Sequence, residues 1–391
     1  MRKKTLFCVL FLLFSALSVG VLSEYAETFA QSGQKIEIYI DGERYEQTVS
    51  IYPYAYFTAQ KYGSFYNYAM AEYQKGIDEK AIFNYLSNGL GDAFFKTLKA
   101  KETPPINATV DVLDSYPYFV YRQGKRGLTF KTKDAIKALA KALDGQTSSV
   151  DLTPTDPDET ISTLKEKTKK IGEFSTSFVS STENRKTNVK VALSYINGKV
   201  LKSGESFSFN QTVGERTEER GFKEAKVILN GKYVEGIGGG VCQVATTLYG
   251  AILKAGLDVV SVARHTYAPA YVQPSLDAMV SEYTDLVFSN QSECPVYIFT
   301  SAKGDKATVS VYGKPFGLVN VYSNTIKTIP YANVDENGKI LTDLDGYEKL
   351  SSGVDGIESV AFREINGKKV KIREDRYPPL NAVYSKKTDQ G

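Results

Sequence analysis

A chain of 391 residues with a formal net charge of +3 is long enough for two or three domains and a substantial core. It is also too near neutral, and too free of basic runs, to be organised around nucleic acid. Tyrosine and phenylalanine are abundant (27 and 20) and tryptophan is absent, which favours β-rich domains, while 3 cysteines and 1 histidine supply neither a disulfide framework nor metal-ligand spacing.

The N-terminus reads as a targeting segment. Arg2-Lys3-Lys4 precedes an apolar run from Leu6 to Leu22, and polar chain begins at Ser23-Glu24. Residues 1–30 are therefore expected to be either a cleaved signal peptide or an uncleaved membrane anchor. In both cases the body is translocated, to the extracellular face of the cytoplasmic membrane or the cell wall. Cys8 falls in this run, so Cys242 and Cys294 are the two exported thiols. They can form one bridge or stay free. Cys294, in Ser292-Glu293-Cys294-Pro295, is expected on the solvent side of a polar turn.

Residues 31–173 read as an α+β region that binds a partner or acts as a spacer. Lys35 to Val49 is a hairpin, because Ile36, Ile38 and Ile40 alternate before Asp41-Gly42. The Tyr-rich stretch after Pro53 is expected to be strand or packed loop, and Ile77–Leu86 weakly helical. Strands follow at Thr109–Leu113 and Tyr118–Arg122. Thr132 caps a helix with Ile136, Leu139 and Leu143 on one face. Thr147–Pro157 reads as a surface loop. Asp156, Pro157 and Glu159 then carry the start signal of a second helix, running through Leu164 to Gly172.

From Phe174 the texture changes. Asn197-Gly198, Asn230-Gly231 and Gly304-Asp305 punctuate alternating segments, giving a sheet-rich domain over residues 174–315 interrupted by one helix. Val296–Thr300 is expected to pair with Ala307–Tyr312 across Lys303-Gly304-Asp305. Residues 316–391 form a third region, whose best element is a hairpin of Val360–Ile365 and Val370–Arg373 turned at Asn366-Gly367. The fold class is α+β.

The helix in the second domain carries the chemistry. Gly238-Gly239-Gly240 runs into Val241-Cys242-Gln243, and Val241, Val244, Ala245, Leu248, Ile252 and Ala255 recur at helical spacing up to Gly256. A thiol in the first turn meets unpaired N–H groups and the positive end of the helix dipole, both of which favour thiolate. The competing reading is a small buried hydrophobe on a packed helix. His265 is the sole histidine and follows Cys242 by 23 residues, so a turn and a strand can return it to the helix start as the base. Asp277 is the nearest downstream group to orient the imidazole, or else a turn cap. Arg264 can clamp a substrate carboxylate or sit in a surface pair. Backbone N–H groups around Gly240, Val241 and Cys242 are the oxyanion donors. No Gly-rich phosphate motif is present, and no cofactor or metal is called for.

These residues resemble the VanW family, named for a component of vancomycin-resistance clusters. The resemblance rests on Arg185-Lys186-Thr187-Asn188-Val189, Gly204-Glu205-Ser206-Phe207-Ser208-Phe209-Asn210, Gly221-Phe222, Gly238 to Val244, Leu248-Tyr249, Arg264-His265, Tyr271-Val272 and Asp277-Ala278. It covers about residues 174–313. The Tyr118 to Lys167 region is similar, more weakly, to the peptidoglycan-binding domain that often precedes VanW, and 356–384 is distantly G5-like. Some members are L,D-transpeptidases that use the cysteine of this motif. The resemblance therefore implies Cys242 as nucleophile and His265 as base, acting on peptidoglycan stem peptides and glycan without a cofactor. Gln243, Arg264 and Tyr267 are the implied substrate contacts, and Gly238 to Val241 the loop that receives the reacting carbonyl. The chain departs from the family at Tyr267, where a second histidine is common, at Ser275-Leu276, which replaces a usual Gly-Arg, and at Met279. The expected activity is 3-3 crosslinking. The rivals are a carboxypeptidase or endopeptidase with the same thiol, and a non-catalytic wall-binding accessory in the glycopeptide response.

Overall fold

The computed structural model describes residues 34–50, 61–78, 81–82, 84, 89–229 and 232–387. The N-terminal targeting segment, the chain just after Pro53, most of the weak helix expected before Leu86, and the Asn230-Gly231 turn lie outside these residues. The architecture is mixed α and β, rich in strand, with several small sheets. It forms two compact units.

The first unit comprises the described residues up to Ala108 together with Gln123–Thr160. Its hairpin pairs Gln34–Ile40 with Glu43–Val49, turned at Asp41 and Gly42, both of which have positive φ. Ser148–Val150 adds in parallel to Gln34–Ile40. Ile36, Ile38 and Ile40 bury their side chains among Phe94, Leu98, Ile136 and Leu139, contributed by helices Leu90–Lys101 and Thr132–Leu143. The tyrosine-rich chain after Gly63 folds as helix Phe65–Gln74, capped by Ser64, which accepts from Asn67 N. Aromatic content suggested strand there, but Phe65, Tyr68 and Ala69 recur at helical spacing and are buried.

Two helix starts differ from the sequence reading. Thr132 is the first helical residue, after Lys131, and makes no capping bond. No helix begins at Asp156: its carboxylate pairs with Arg126 Nε, and Glu159 N donates to Asn107 Oδ1 at 3.1 Å. These tertiary partners override the local start signal, and the helix covers only Ile161–Lys167. Within the expected loop, Ser148–Val150 and Thr153–Thr155 are short strands.

The second unit takes in Thr109–Arg122 and everything from Ile161 onward. Sequence reading assigned the first of these segments, and residues 161–173, to the N-terminal region. The unit is built on an antiparallel sheet whose strands lie in the order Lys169–Ser177, Lys306–Gly313, Val296–Lys303, Lys199–Leu201. Alternation decides its two faces. Val296, Ile298, Val309 and Val311 point into the main core. Tyr297 and Phe299 point the other way, where the hairpin Thr109–Val112/Phe119–Arg122 covers them, Tyr118 stacking on Phe299 with ring centroids 3.9 Å apart.

Helices Glu183–Ile196 and Val241–Lys254 cover the core face. The first was read as alternating segments closed by Asn197-Gly198. Instead Thr182 caps it, accepting from Arg185 N at 3.4 Å, and Asn197 terminates it. The second is buried nearly all round, the half-buried Cys242 being the exception before its last residue. It sits very close to the sheet: a Cβ on Gly250 would meet the Phe174 ring at 2.5 Å, and one on Gly172 would meet Ala251 O at 2.4 Å. Glycines on both sides allow that approach.

The C-terminal region belongs to the same unit. Strands Val319–Ile329, Gly356–Ile365 and Lys368–Tyr377 form an antiparallel sheet, and Ala361 enters the main core. The expected hairpin at Asn366-Gly367 is thus longer than read from sequence, reaching Tyr377. Cys294 is buried at 7% exposure rather than solvent-side, and both described cysteines are free thiols, so no Cys242–Cys294 bridge exists.

Candidate active site

The glycine turn and the helix start fix Cys242. Gly238 and Gly240 have φ of +91° and +110°, conformations that an L side chain adopts only under strain. Gly239 packs against backbone, since a Cβ there would meet Lys226 O at 2.5 Å. Asn188, fully buried in the preceding helix, holds the turn. Its Nδ2 donates to Gly239 O (3.0 Å) and Lys223 O (2.9 Å), and its Oδ1 accepts from Lys223 N (2.7 Å). Val241 N–H donates to Gly238 O and Gln243 N–H to Gly240 O. The oxyanion donation expected of Val241 is therefore already engaged within the turn.

His265 and Asp277 meet through a single backbone bridge. Ala263 and Met279 pair antiparallel, with Met279 N donating to Ala263 O at 2.8 Å. Two residues inward from each end, this register sets His265 beside Asp277. Asp277 Oδ2 accepts from His265 N and contacts His265 Nδ1, each at 2.7 Å. The next residues along the second segment face the helix. Ala278 N donates to Thr246 Oγ1 at 3.0 Å, and the Cys242 thiol lies 3.3 Å from Val280 O, to which it donates when neutral. Cys242 and Thr246 are one helical turn apart, so one face of the helix and one edge of this segment zip together.

The electrostatics follow from that packing. Burial alone would push the Cys242 thiol up. The hydrogen bond and charge of His265 outweigh it, helped by backbone hydrogen bonding at Val280 and the charge of Arg216, and the thiol is lowered from its ordinary 9.0. Burial alone would likewise lower His265. The hydrogen bond to Asp277 and the interaction with Cys242 raise it instead, from 6.5 to about 9. Asp277, with no exposed side-chain surface, resists the upward push of burial through His265, Arg373 and Tyr377, and is lowered. The three groups favour one another's charged forms, thiolate, imidazolium and carboxylate, with Nε2 as the imidazole nitrogen left for the sulfur.

Sequence reasoning missed the groups that hold Asp277. Arg373 Nη2 lies 2.5 Å from its Oδ1, and Tyr377 OH donates to the same oxygen at 2.6 Å. Tyr377 OH also accepts from Ser275 N at 2.8 Å. Ser275 has a φ of +64° and is fully buried, with its hydroxyl 2.7 Å from Ser359 Oγ. The C-terminal sheet thus supplies the second layer around the acid. Nothing in the spacing foretold this, because the partners lie 96 and 100 residues downstream.

The remaining candidates separate. Gln243 is 1% exposed and turned into the sheet, where Nε2 donates to Thr176 Oγ1 (3.0 Å) and Ser177 O (2.8 Å), so it is not placed to contact a substrate. Arg264 Nη1 donates to the His265 carbonyl at 2.8 Å, its Nε lies 4.0 Å from Asp375, and it stacks 5.5 Å over the Tyr377 ring. It braces the histidine rather than standing free. Tyr267 is half-buried in the loop beyond His265. Arg216, which sequence reading did not single out, is half-buried beside Gly238.

With this geometry in place, the family match falls where the site lies. Residues 184–312 match the family described as VanW like protein. A protein of Bacillus subtilis, uncharacterized protein YoaR, is 37% identical over 166 residues, 42% of this chain and 53% of the relative. The vancomycin B-type resistance protein VanW of Enterococcus faecalis is 27% identical over 156 residues, 38% of this chain and 56% of the relative. The chain spans about half the length of these two relatives. Cys242, His265 and Asp277 all fall inside the matched segment and Arg373 and Tyr377 outside it, so the chain carries a VanW-like domain over residues 184–312.

Proposed function

We propose that this protein is a cysteine-dependent acyltransferase of the cell wall, an L,D-transpeptidase that forms 3-3 crosslinks between peptidoglycan stems. The observation that carries the reading is the Cys242–His265–Asp277 relay: a half-buried thiol lowered by an imidazolium that is itself raised by a buried carboxylate. A structural cysteine needs none of this, and a cysteine nucleophile needs all of it. The enterococcal relative's name, a vancomycin resistance protein, supports a cell-wall setting. The apolar N-terminal run supports export.

In this reading the Cys242 thiolate attacks the carbonyl that joins the L-centre of diaminopimelate to the terminal D-Ala of a donor tetrapeptide. Backbone N–H groups of Gly240 and Cys242 meet the oxyanion as it forms. Collapse breaks the carbon–nitrogen bond, and His265 gives its proton to the leaving D-Ala amine, leaving a thioester on Cys242. The side-chain amine of an acceptor stem then attacks the thioester. His265 takes the amine proton, the new amide forms, and the thiolate is expelled. Asp277 keeps the imidazole oriented through both halves and stabilises the imidazolium whenever it forms.

The test is product analysis by mass spectrometry after incubating the full chain, and its Cys242→Ala variant, with tetrapeptide-stem muropeptides. A Cys242-dependent dimer with loss of one D-Ala supports transpeptidation. Loss of D-Ala without dimer identifies a hydrolase with the same thiol, and no product from either protein removes the catalytic reading.

A further inference from the structure

Arg264 was the arginine expected to bind a substrate carboxylate, and it is committed to the His265 carbonyl, Asp375 and the Tyr377 ring. A different arginine flanks the thiol. Arg216 packs its Cβ and Cγ against Gly238, where a Cβ would come within 2.9 Å of the arginine, and Gly238 O closes the turn into Cys242. Its guanidinium donates through Nη2 to Asn210 Oδ1 at 2.6 Å. Asn210 Nδ2 is fixed in turn by Ser281 O and Thr284 O, both at 2.9 Å, and Ser281 directly follows Val280, whose carbonyl touches the Cys242 sulfur. Arg216 is therefore held at the thiol from two sides, by the glycine turn and by the segment after Val280.

What it lacks is a carboxylate in contact. Among the described residues Arg216 makes no ion pair. Asp285, the nearby carboxylate, is already satisfied by Ser208 Oγ and Asn210 N. A half-buried guanidinium whose side-chain partner is a neutral amide keeps most of its N–H fork for something else. Burial pulls its pKa down, which the charges of Cys242 and Asp285 oppose. Among the described residues its remaining N–H groups are left for solvent or a ligand.

We infer that Arg216, locked in place by Asn210, is the receptor for a free carboxylate on the acyl donor, so that the site selects peptides whose scissile bond lies next to an unblocked C-terminus. The inference rests on the reading of Cys242 as a nucleophile and adds the specificity-determining residue: Arg216 is what distinguishes a terminal amino acid as leaving group from an internal residue. The planar fork accepts two carboxylate oxygens at once, and the same charge stabilises the thiolate while the site is empty.

Alkylation of Cys242 tests this without any substrate. The same thiolate displaces iodide from iodoacetate and from iodoacetamide, so the ratio of their rates cancels the thiolate fraction and reports the anion site. The ratio is read on the Cys242 peptide of the full chain by mass spectrometry. It is expected to fall about tenfold in Arg216→Gln, the loss of roughly one charge-assisted pair. A fall of less than about threefold overturns the inference. If Arg216→Gln does not fold, the unsubstituted protein gives a second reading. N-acetyl-D-alanine should slow iodoacetamide alkylation of Cys242 where its carboxamide does not, and equal protection by both refutes the carboxylate site. A fall in the ratio with no turnover of muropeptides by the unsubstituted protein upholds the anion site and removes the transpeptidase reading, so the two failures are distinguishable.

Discussion

The ionisation of the relay can be read directly, because His265 is the sole histidine of the chain and gives one imidazole signal in an isotope-labelled sample. The perturbation is Asp277→Asn, which keeps the shape of the side chain and removes its charge. A rise of His265 from 6.5 to about 9 corresponds to about 3 kcal/mol in favour of the imidazolium, gained against the opposing effect of burial. The hydrogen bond to Asp277 is the largest favourable contribution, followed by those of Cys242. With the carboxylate gone, Arg373 loses one of its two anions and keeps Asp375 at 2.7 Å, so less negative charge is left to offset it beside the imidazolium. The imidazole midpoint should drop by about one to two pH units, the range expected for losing an opposite charge in contact. The sign for the thiol is opposite. A less basic imidazole stabilises thiolate less, so the Cys242 alkylation midpoint moves up while the histidine midpoint moves down, and the pH window holding thiolate and imidazolium together narrows from both ends. The assay is a carbon-detected histidine titration beside the pH dependence of Cys242 alkylation, on protein purified without a histidine tag. A midpoint near 6.5 in the unsubstituted protein, or one unmoved by Asp277→Asn, refutes the reasoning.

Other perturbations address the scaffold. Tyr377→Phe removes the hydroxyl that joins Asp277 Oδ1 to Ser275 N, and should cost about 1–3 kcal/mol in denaturant unfolding because a buried N–H is left unpaired. It should also raise the Asp277 carboxyl, which the Tyr377 hydroxyl helps to hold below its ordinary value. Asn188→Ala removes three hydrogen bonds, one to Gly239 in the glycine turn and two to Lys223 beside it, and should destabilise by about 1–3 kcal/mol while slowing Cys242 alkylation at fixed pH. Gly250→Ala should gain about 1 kcal/mol of helix propensity yet lose more to the clash with Phe174, for a net loss of about 1–2 kcal/mol by thermal or denaturant melting.

The parts of the site that were legible in the sequence are those set by local rules. Three glycines before a cysteine at a helix start imply left-handed turns and a thiol in the first turn, and the structure has both. One histidine at a distance spanned by helix, turn and strand returns to that turn, and Asp277 meets it through the Ala263–Met279 bridge. What was illegible depended on burial or on long range. Gln243 sits beside Cys242 in sequence, but the helix is buried nearly all round, so the amide faces the sheet and only the cysteine faces the site. Asp156 carries a convincing helix start, but Arg126 takes its carboxylate. Arg373 and Tyr377 lie in a hairpin whose alternation reads as ordinary strand, and only the C-terminal sheet's packing against the main core brings them to Asp277. Asn188 was named only within the family resemblance, and its hold on the glycine turn became legible once its segment folded as a helix with Asn188 on the buried face.

The central claim is that an acyl group resides on Cys242 during turnover. The direct measurement is the intact mass of the full chain, acid-quenched after brief exposure to a donor tetrapeptide muropeptide without acceptor amine. The expected result is an adduct equal to the donor less one D-Ala, located on the Cys242 peptide, released by hydroxylamine and absent from Cys242→Ala. Release of D-Ala that persists in Cys242→Ala, with no adduct on the unsubstituted protein, contradicts the account.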